Sequence, residues 1–465
     1  MKKFLLCCLI ICLQLISDAQ QLKDSSNNIY KIYSDQIADL LGVRGVPGEE
    51  IRELLSVFEK NKIVSDEDFA EILSKIYPND KGIGILFYFF YNDSLHRIFF
   101  EPGIIKEKKI IPITKAALFQ LGYDINYVIG LYAKAIKTMP SQRGIILEPP
   151  EKSNGADYPS VIKSATDLLI PESFNTKYKH LYIIPAMNIG TFPFSLLKPY
   201  KDDSLLIDKC SYTIVPSIID LLGLRIKMLK NYTRWNGDLS KKFNDNYDFQ
   251  FIPPASFVIE NALFVSNPAY PENTEFIYPD LPGAEKEIIM AKEYAKNYKL
   301  LKGKYAIKDT VIHYLKKADV AYFATHGIAD SFNPMEKSFL VLSGNDPFLT
   351  AKNIMELRNN EIIDNKFPEM VILSACQTGL GKAMEAGVAG LARSFLLAGS
   401  NHVIMSLWNV DDEATAFLMN RFIFHLQEKH NFIPSEPLRL AMLDARKKFS
   451  SPAQWASFAV FGIDF

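Results

Sequence analysis

Charge of one sign is missing from this chain of 465 residues, where 52 basic residues face 53 acidic ones and leave a formal net charge of -1 at pH 7. No global basic field is available to recruit nucleic acid or an anionic membrane. Cysteine is scarce as well, with five in all, too few for a disulfide-built scaffold. Repeats at tetratricopeptide, ankyrin or leucine-rich periods are absent, so no solenoid is encoded. Metal patterns are missing too. Without His-Glu-x-x-His or paired Cys-x-x-Cys, a zinc site would have to be assembled from scattered histidines. What is there is an ordinary globular composition, 48% hydrophobic and 23% charged. That is enough for a sizeable core in two or three domains, or in one large α/β unit with a small appendage.

The N-terminus sharpens the cysteine count. Met1-Lys2-Lys3 is a short basic region, Phe4 to Ile16 is apolar apart from Gln14, and Ser17-Asp18-Ala19 puts small residues where a signal peptidase needs them. The run is short for a bilayer span, and its apolar residues do not recur at the spacing of an amphipathic helix. Residues 1–19 therefore read as a removed export signal, with no stable membrane anchor afterwards and a destination in the periplasm, at the cell surface or outside the cell. A lipoprotein signal would need a small residue before the modified cysteine, whereas Cys12 follows Ile11 and Cys8 follows Cys7. Signal removal takes Cys7, Cys8 and Cys12 and leaves Cys210 and Cys376. One bridge remains open on parity alone; the other reading, a thiol kept for its chemistry, is favoured by the residues around Cys376.

Residues 20–79 carry helical signals and no chemistry: Ser65-Asp66-Glu67-Asp68 opens a run with Phe69, Ile72, Leu73 and Ile76 on one face, and Ile51, Leu54, Leu55 and Phe58 form a second pattern. This reads as a small helical appendage. From Ile83 the chain turns β-rich, and Ile85–Phe90, a turn at Asn92-Asp93 and Ile98–Phe100 predict a hairpin. Helical spacing returns over 114–137. Short apolar runs at 181–184, 262–265, 320–324, 370–373 and 403–407 then alternate with helical patterns at 284–297, 307–317, 385–398 and 412–427. That alternation predicts an α/β fold with a mainly parallel sheet covered by helices on both faces. The polar stretch 233–250 reads as an exposed loop.

Two strand ends stand out. The run ending at Ala324 leads into Thr325-His326-Gly327, and the run ending at Leu373 leads into Ser374-Ala375-Cys376-Gln377-Thr378-Gly379. In an open parallel sheet the C-terminal strand ends line the ligand crevice, so neighbouring strands would bring His326 and Cys376 face to face. A thiolate attacks acyl carbons but needs a base or positive charge nearby, because an ordinary cysteine has a pKa of about 8.5. His326 would supply it and later protonate the leaving amine. The amides of Gly327 and Cys376 are candidate oxyanion donors. Either residue alone would be packing or a turn; together, in this order and both at strand ends, they favour catalysis. A phosphate loop at Gly379-Leu380-Gly381-Lys382 fails, because its earlier glycine is missing and Ala383 replaces the Ser or Thr.

The interval between His326 and Cys376, about 50 positions, matches that between the caspase histidine and its Gln-Ala-Cys signature. Phe323-Ala324-Thr325-His326-Gly327, Leu373–Gly379, Gly387-Val388-Ala389-Gly390-Leu391-Ala392-Arg393-Ser394-Phe395 and Ser406-Leu407-Trp408-Asn409-Val410-Asp411-Asp412 resemble, in order, the hallmark blocks of the CHAT domain. That is a caspase-like cysteine peptidase family related to separase and the gingipains. Val215-Pro216-Ser217, Asn267-Pro268 and Leu281-Pro282-Gly283-Ala284-Glu285 fit as well. The resemblance covers roughly residues 80–465, divided into a β-rich part over 80–255 and a caspase-like catalytic part over 256–465. It implies a caspase-like α/β fold and a dyad at His326 and Cys376. Glu385-Ala386-Gly387 departs from the Gly-Glu-Gly that many members carry.

The resemblance and the residues together imply an exported cysteine endopeptidase acting on a polypeptide, with no metal or organic cofactor. The alternatives are a non-catalytic interaction module of the same fold, and acyl transfer to an amine by the same dyad. Asp412 is a candidate for the substrate pocket, with helix capping ranked ahead of it, and Trp408 is a second candidate, ranked behind a core role. Cys210 reads as a buried small hydrophobe. A regulatory partner fits this reading without being identified by it.

Overall fold

A computed structural model describes residues 30–35, 63, 65–77, 82–131, 153, 155–232, 259–272, 274, 277–330, 334–357, 367–374, 390–408, 411–429 and 433–464. The expected features at 1–19, 51–58 and 233–250, and Cys376 itself, lie outside them. Among the described residues fourteen strands carry the architecture: β1 Ile83–Tyr91, β2 Ser94–Glu101, β3 Ile104–Pro112, β4 His180–Ile184, β5 Ser211–Ile214, β6 Ile259–Pro268, β7 Ala295–Gly303, β8 Val320–Ala324, β9 Gly327–Ile328, β10 Phe339–Val341, β11 Phe348–Thr350, β12 Met370–Leu373, β13 His402–Ser406 and β14 Phe458–Gly462. Eleven of them form one mixed sheet in the order β3-β2-β1-β4-β5-β14-β13-β12-β8-β6-β7, and β11-β10-β9 form a small second sheet.

The hairpin forms as its sequence dictates. Asn92 and Asp93 both adopt left-handed backbone, φ 48° and 49°, the geometry a two-residue turn needs to match the twist of its strands. Tyr91 then faces Ser94 and Phe87 faces Ile98. Every residue of β8, β12, β13 and β14 is buried, as strands covered on both faces require.

The Asp66–Ile76 helix starts at a Ser65/Asp68 capping box. It is part of the core and not an appendage: Phe69, Leu73 and Ile76 are fully buried, and Phe69 meets Phe100 edge-on at 5.2 Å. Tyr33 packs likewise on Phe87 at 5.1 Å. The helices expected at 307–317 and 412–427 are Lys308–Leu315 and Asp412–Lys429. The helix expected at 284–297 ends at Ala291, and a 3-10 turn leads at once into β7. The reason is positional. An edge strand is covered so little that Lys, Asn and Tyr replace the apolar run that marks a strand; β3, the opposite edge, escaped the pattern in the same way. Among the described residues no helix is long and apolar enough to cross a membrane.

A buried polar hub joins β4 to the end of β14. Ser211 Oγ lies 2.9 Å and Ser435 Oγ 3.3 Å from His180 Nδ1, Ser435 also donates to Asp464, and Asp464 Oδ2 is 3.6 Å from the same Nδ1. Thr213 Oγ1 lies 3.4 Å from the other ring nitrogen, Nε2, so the imidazole is flanked by polar groups on both sides and ties β4 to β5 and to the end of β14. Burial pushes His180 down from 6.5 to about 3 and Asp464 up from 3.8 to about 7. The unfolded chain protonates His180 below pH 6.5 while the folded one does not, so this residue withdraws stability as pH falls from 6.5 towards 3. Asp464 acts oppositely, since the unfolded chain ionises it above pH 4 while the fold keeps it neutral, so stability is lost as pH rises from 4 to 7. Asp464→Asn keeps the neutral form. Its stability relative to the native protein should therefore rise from pH 4 to pH 8 by roughly 2–4 kcal/mol, read as melting temperature; a pH-independent difference would contradict this.

Candidate functional site

The chain runs from β6 to β7 on one side and then returns to place β8 on the other side of β6. The strand order therefore reverses between β6 and β8, and in an open α/β sheet the carboxyl ends at such a reversal border the ligand crevice. Thr325 and His326 follow directly on β8 at that rim. Thr325 is fully buried and donates through Oγ1 to Val341 O at 2.6 Å, which anchors the start of the turn.

His326 is 1% exposed and its ring is held on several sides. Tyr270 meets it edge-on at 4.7 Å, and Tyr278 lies tilted at 5.5 Å. Nε2 is 2.7 Å from Pro279 O. A carbonyl only accepts, so Nε2 carries the hydrogen, and in the neutral ring Nδ1 is the basic nitrogen. This fixes both the ring plane and the tautomer, as a general base requires.

Gly327 opens β9 opposite Leu340 of β10. Val341 N donates to His326 O at 2.9 Å, which makes Gly327 and Leu340 a non-hydrogen-bonded pair, with the Gly327 amide turned away from β10. β12 lies beside β8, parallel, with Leu373 paired to Phe323. Ser374 is buried just past the strand end, and Cys376 comes two positions later, outside the described residues. Cys210 is fully buried; burial pushes its thiol far up, and Sγ rests 3.2 Å from Ser211 O.

The remaining candidates are engaged with the protein itself. Trp408 is 1% exposed and donates Nε1–H to Ala453 O at 2.9 Å. Of the two adjacent carboxylates, Asp411 caps its own helix by accepting Ala414 N at 3.0 Å. Asp412 reaches a different helix, Pro282–Ala291, and accepts Gly283 N at 2.5 Å. A free amide of a first helical turn is a favourable place for an anion.

Several residues around His326 escaped the sequence reading. Pro279 acts through its carbonyl, which has no side-chain signature, and Tyr270 and Tyr278 lie in a connection without periodicity. Asn267 was visible only as part of a motif. Its backbone is left-handed, φ 40°, and its Oδ1 accepts Leu281 N at 3.0 Å, pinning the segment that carries Pro279.

A Cβ on Gly283 would lie 2.2 Å from Asp412 Oδ2, so the carboxylate must move and its bond must break. Gly283→Ala should cost about 1–3 kcal/mol, and Asp412→Ala a similar amount. Measured by denaturant unfolding, the double variant should cost clearly less than the two singles together, since both remove one interaction. Additive losses would show that the two residues are not coupled.

The CHAT domain family matches residues 161–463, a span well over half of the chain. Tetratricopeptide repeat protein 28 from Homo sapiens is 24% identical over 364 residues, covering 70% of this chain and 14% of that protein. Its Mus musculus counterpart is 23% identical over 326 residues, covering 62% and 12%. This chain thus spans only a small part of those relatives. Among solved structures, separase in the Saccharomyces cerevisiae separase–securin complex superposes with a TM-score of 0.51 at 11% identity, covering 90% of this chain and 33% of that one. The Arg-specific cysteine proteinase gingipain R gives 0.42 at 11% identity, covering 67% and 68%. The largely parallel eleven-stranded sheet is thus a caspase-like α/β fold, and the chain belongs to the CHAT domain family.

Proposed function

We propose that this CHAT domain is a cysteine endopeptidase in which Cys376 and His326 form the dyad. One observation carries the reading. β8 and β12 are parallel neighbours with Phe323 opposite Leu373, and His326 and Cys376 stand the same number of residues beyond that pair. The ring tautomer set by Pro279 and the outward Gly327 amide support the same chemistry.

In this reading Nδ1 of His326 takes the proton from Cys376 Sγ as sulfur attacks the peptide carbonyl. The resulting oxyanion is held by the amides of Gly327 and Cys376, contacts worth roughly 3–4 kcal/mol each in comparable sites. The imidazolium then returns its proton to the leaving amine as the C–N bond breaks. Water, deprotonated by the same ring, hydrolyses the thioester and restores the thiol. Export is part of the proposal and rests on residues 1–19 alone.

Labelling with a peptide carrying a thiol-directed electrophile tests the dyad, read together with cleavage of a peptide library under reducing conditions. Cys376→Ala should abolish label and cleavage. His326→Ala should lower kcat/KM by about 10²–10⁴. Cys210→Ala should change neither, because that thiol is buried and kept protonated. A native protein that neither labels nor cleaves, yet retains its fold, would instead favour a non-catalytic interaction module. Ligated product formed on adding an amine nucleophile would identify transpeptidation.

A further inference from the structure

β7 is the last strand of the large sheet, so one of its edges pairs with β6 and the other meets no strand among the described residues. Its nine residues give an open edge of about 30 Å, long enough to template a strand from another chain. The cover over this edge is thin. Tyr298 is 50% and Leu300 39% exposed, and on the Pro282–Ala291 helix Ile289 is 56% and Met290 40% exposed. Lys302 pairs with Glu285 of that helix at 2.7 Å. The helix runs back antiparallel to the strands it joins, so Ile289, one turn past Glu285, and Leu300, two residues before Lys302, lie along the same flank.

Charge selects the occupant. Lys296 and Lys302 face Glu260 and Glu285 at 2.6 and 2.7 Å, exposed pairs that an incoming carboxylate can replace. Lys299 and Lys304 lie instead over the rings of Tyr314 and Tyr305, at 4.8 and 5.4 Å. The opposite edge differs, because Lys106, Lys108 and Lys109 of β3 are each paired with a carboxylate. A second copy is a poor fit for β7. Antiparallel self-pairing about Lys299 sets that residue against itself and Lys296 against Lys302, like charges directly opposed.

We propose that the open edge of β7 is a docking strand for an extended acidic segment of a partner polypeptide, with apolar residues opposite Tyr298 and Leu300 and acidic ones opposite Lys296 and Lys302 on the same face and Lys299 on the other. Backbone hydrogen bonds supply the affinity, and the lysines select acidic over basic segments. The surface lies on the strand edge and does not depend on the peptidase reading.

The probe is a fluorescein-labelled Glu-Thr-Val-Glu-Val-Thr-Glu peptide, titrated with the full chain and read by anisotropy. Binding should be saturable and at least tenfold tighter than that of the Lys-Thr-Val-Lys-Val-Thr-Lys counterpart. It should weaken at least tenfold on N-methylation of alternate amides and with Lys299→Glu, but not with Lys109→Glu on β3. Equal binding of both peptides, full binding of the N-methylated one, or sensitivity to Lys109→Glu in place of Lys299→Glu would overturn the proposal. So would a dimer in sedimentation that Tyr298→Lys disrupts, since it would assign the edge to a second copy.

Discussion

The parallel pairing of β8 with β12 is the constraint on which the site depends. Four residues of each strand are matched, from Val320 with Met370 to Phe323 with Leu373, and all are buried. A slip of one residue would exchange which side chains face each helical layer, and both layers are filled, so the register has no slack. The register in turn fixes where each chain leaves the sheet. Thr325 meets Val341 and His326 meets Pro279 because β8 ends where it does. Neither bond would survive a shift of 3.3 Å, the rise of one residue.

The histidine is held less by its own strand than by the connection between β6 and the following helix. Three backbone groups at alternate positions are used on three different parts of the fold: Pro279 O on His326, Leu281 N–H on Asn267 Oδ1, and Gly283 N–H on Asp412. The first two lie in the connection and the third in the first turn of the helix Pro282–Ala291, where the chain changes direction. The absence of a Cβ at Gly283 lets the carboxylate approach the helix end. Proline at position 282 loses nothing there, since the first amides of a helix lack intrahelical partners. The arrangement makes the orientation of one imidazole a property of β6, the 412–429 helix and the connection between them.

Much of this was legible in the residues, for reasons that also mark where reading stops. Strands buried on both faces announce themselves as continuous apolar runs, as at 320–324 and 370–373, and Asn92-Asp93 announces a turn because few other residues tolerate left-handed backbone. His326 was singled out as a candidate because a histidine at a strand end has few neutral explanations once a cysteine matches it. The edge strands β3 and β7 were missed because exposure removes the pattern that defines a strand. The Asp66–Ile76 helix was recognised as a helix, but its burial against β1 and β2 depends on tertiary contacts that no local pattern reports. The shell of His326 was illegible for a different reason. It is made of carbonyls, ring edges and a glycine, and its partners are fixed only when distant segments meet.

The same logic bears on whether the caspase-like part could stand alone. β14 returns from the C-terminus to lie between β13, antiparallel, and β5, parallel, so the sheet passes without a break from one half of the chain to the other. Across the seam, Arg393 of the Leu391–Ala398 helix pairs with Asp220 at 3.1 Å, with both side chains almost fully buried. Ser217 donates to the same carboxylate at 2.6 Å. Removing one partner of a buried pair strands the other charge, at a cost of about 3–5 kcal/mol. Loss of residues up to 255 would remove Asp220 and Ser217, unpair the β5 edge of β14 and leave Arg393 without its counter-ion. That arginine lies on the helix that follows the connection carrying Cys376. The β-rich half is therefore a structural requirement of the site and not a separable neighbour.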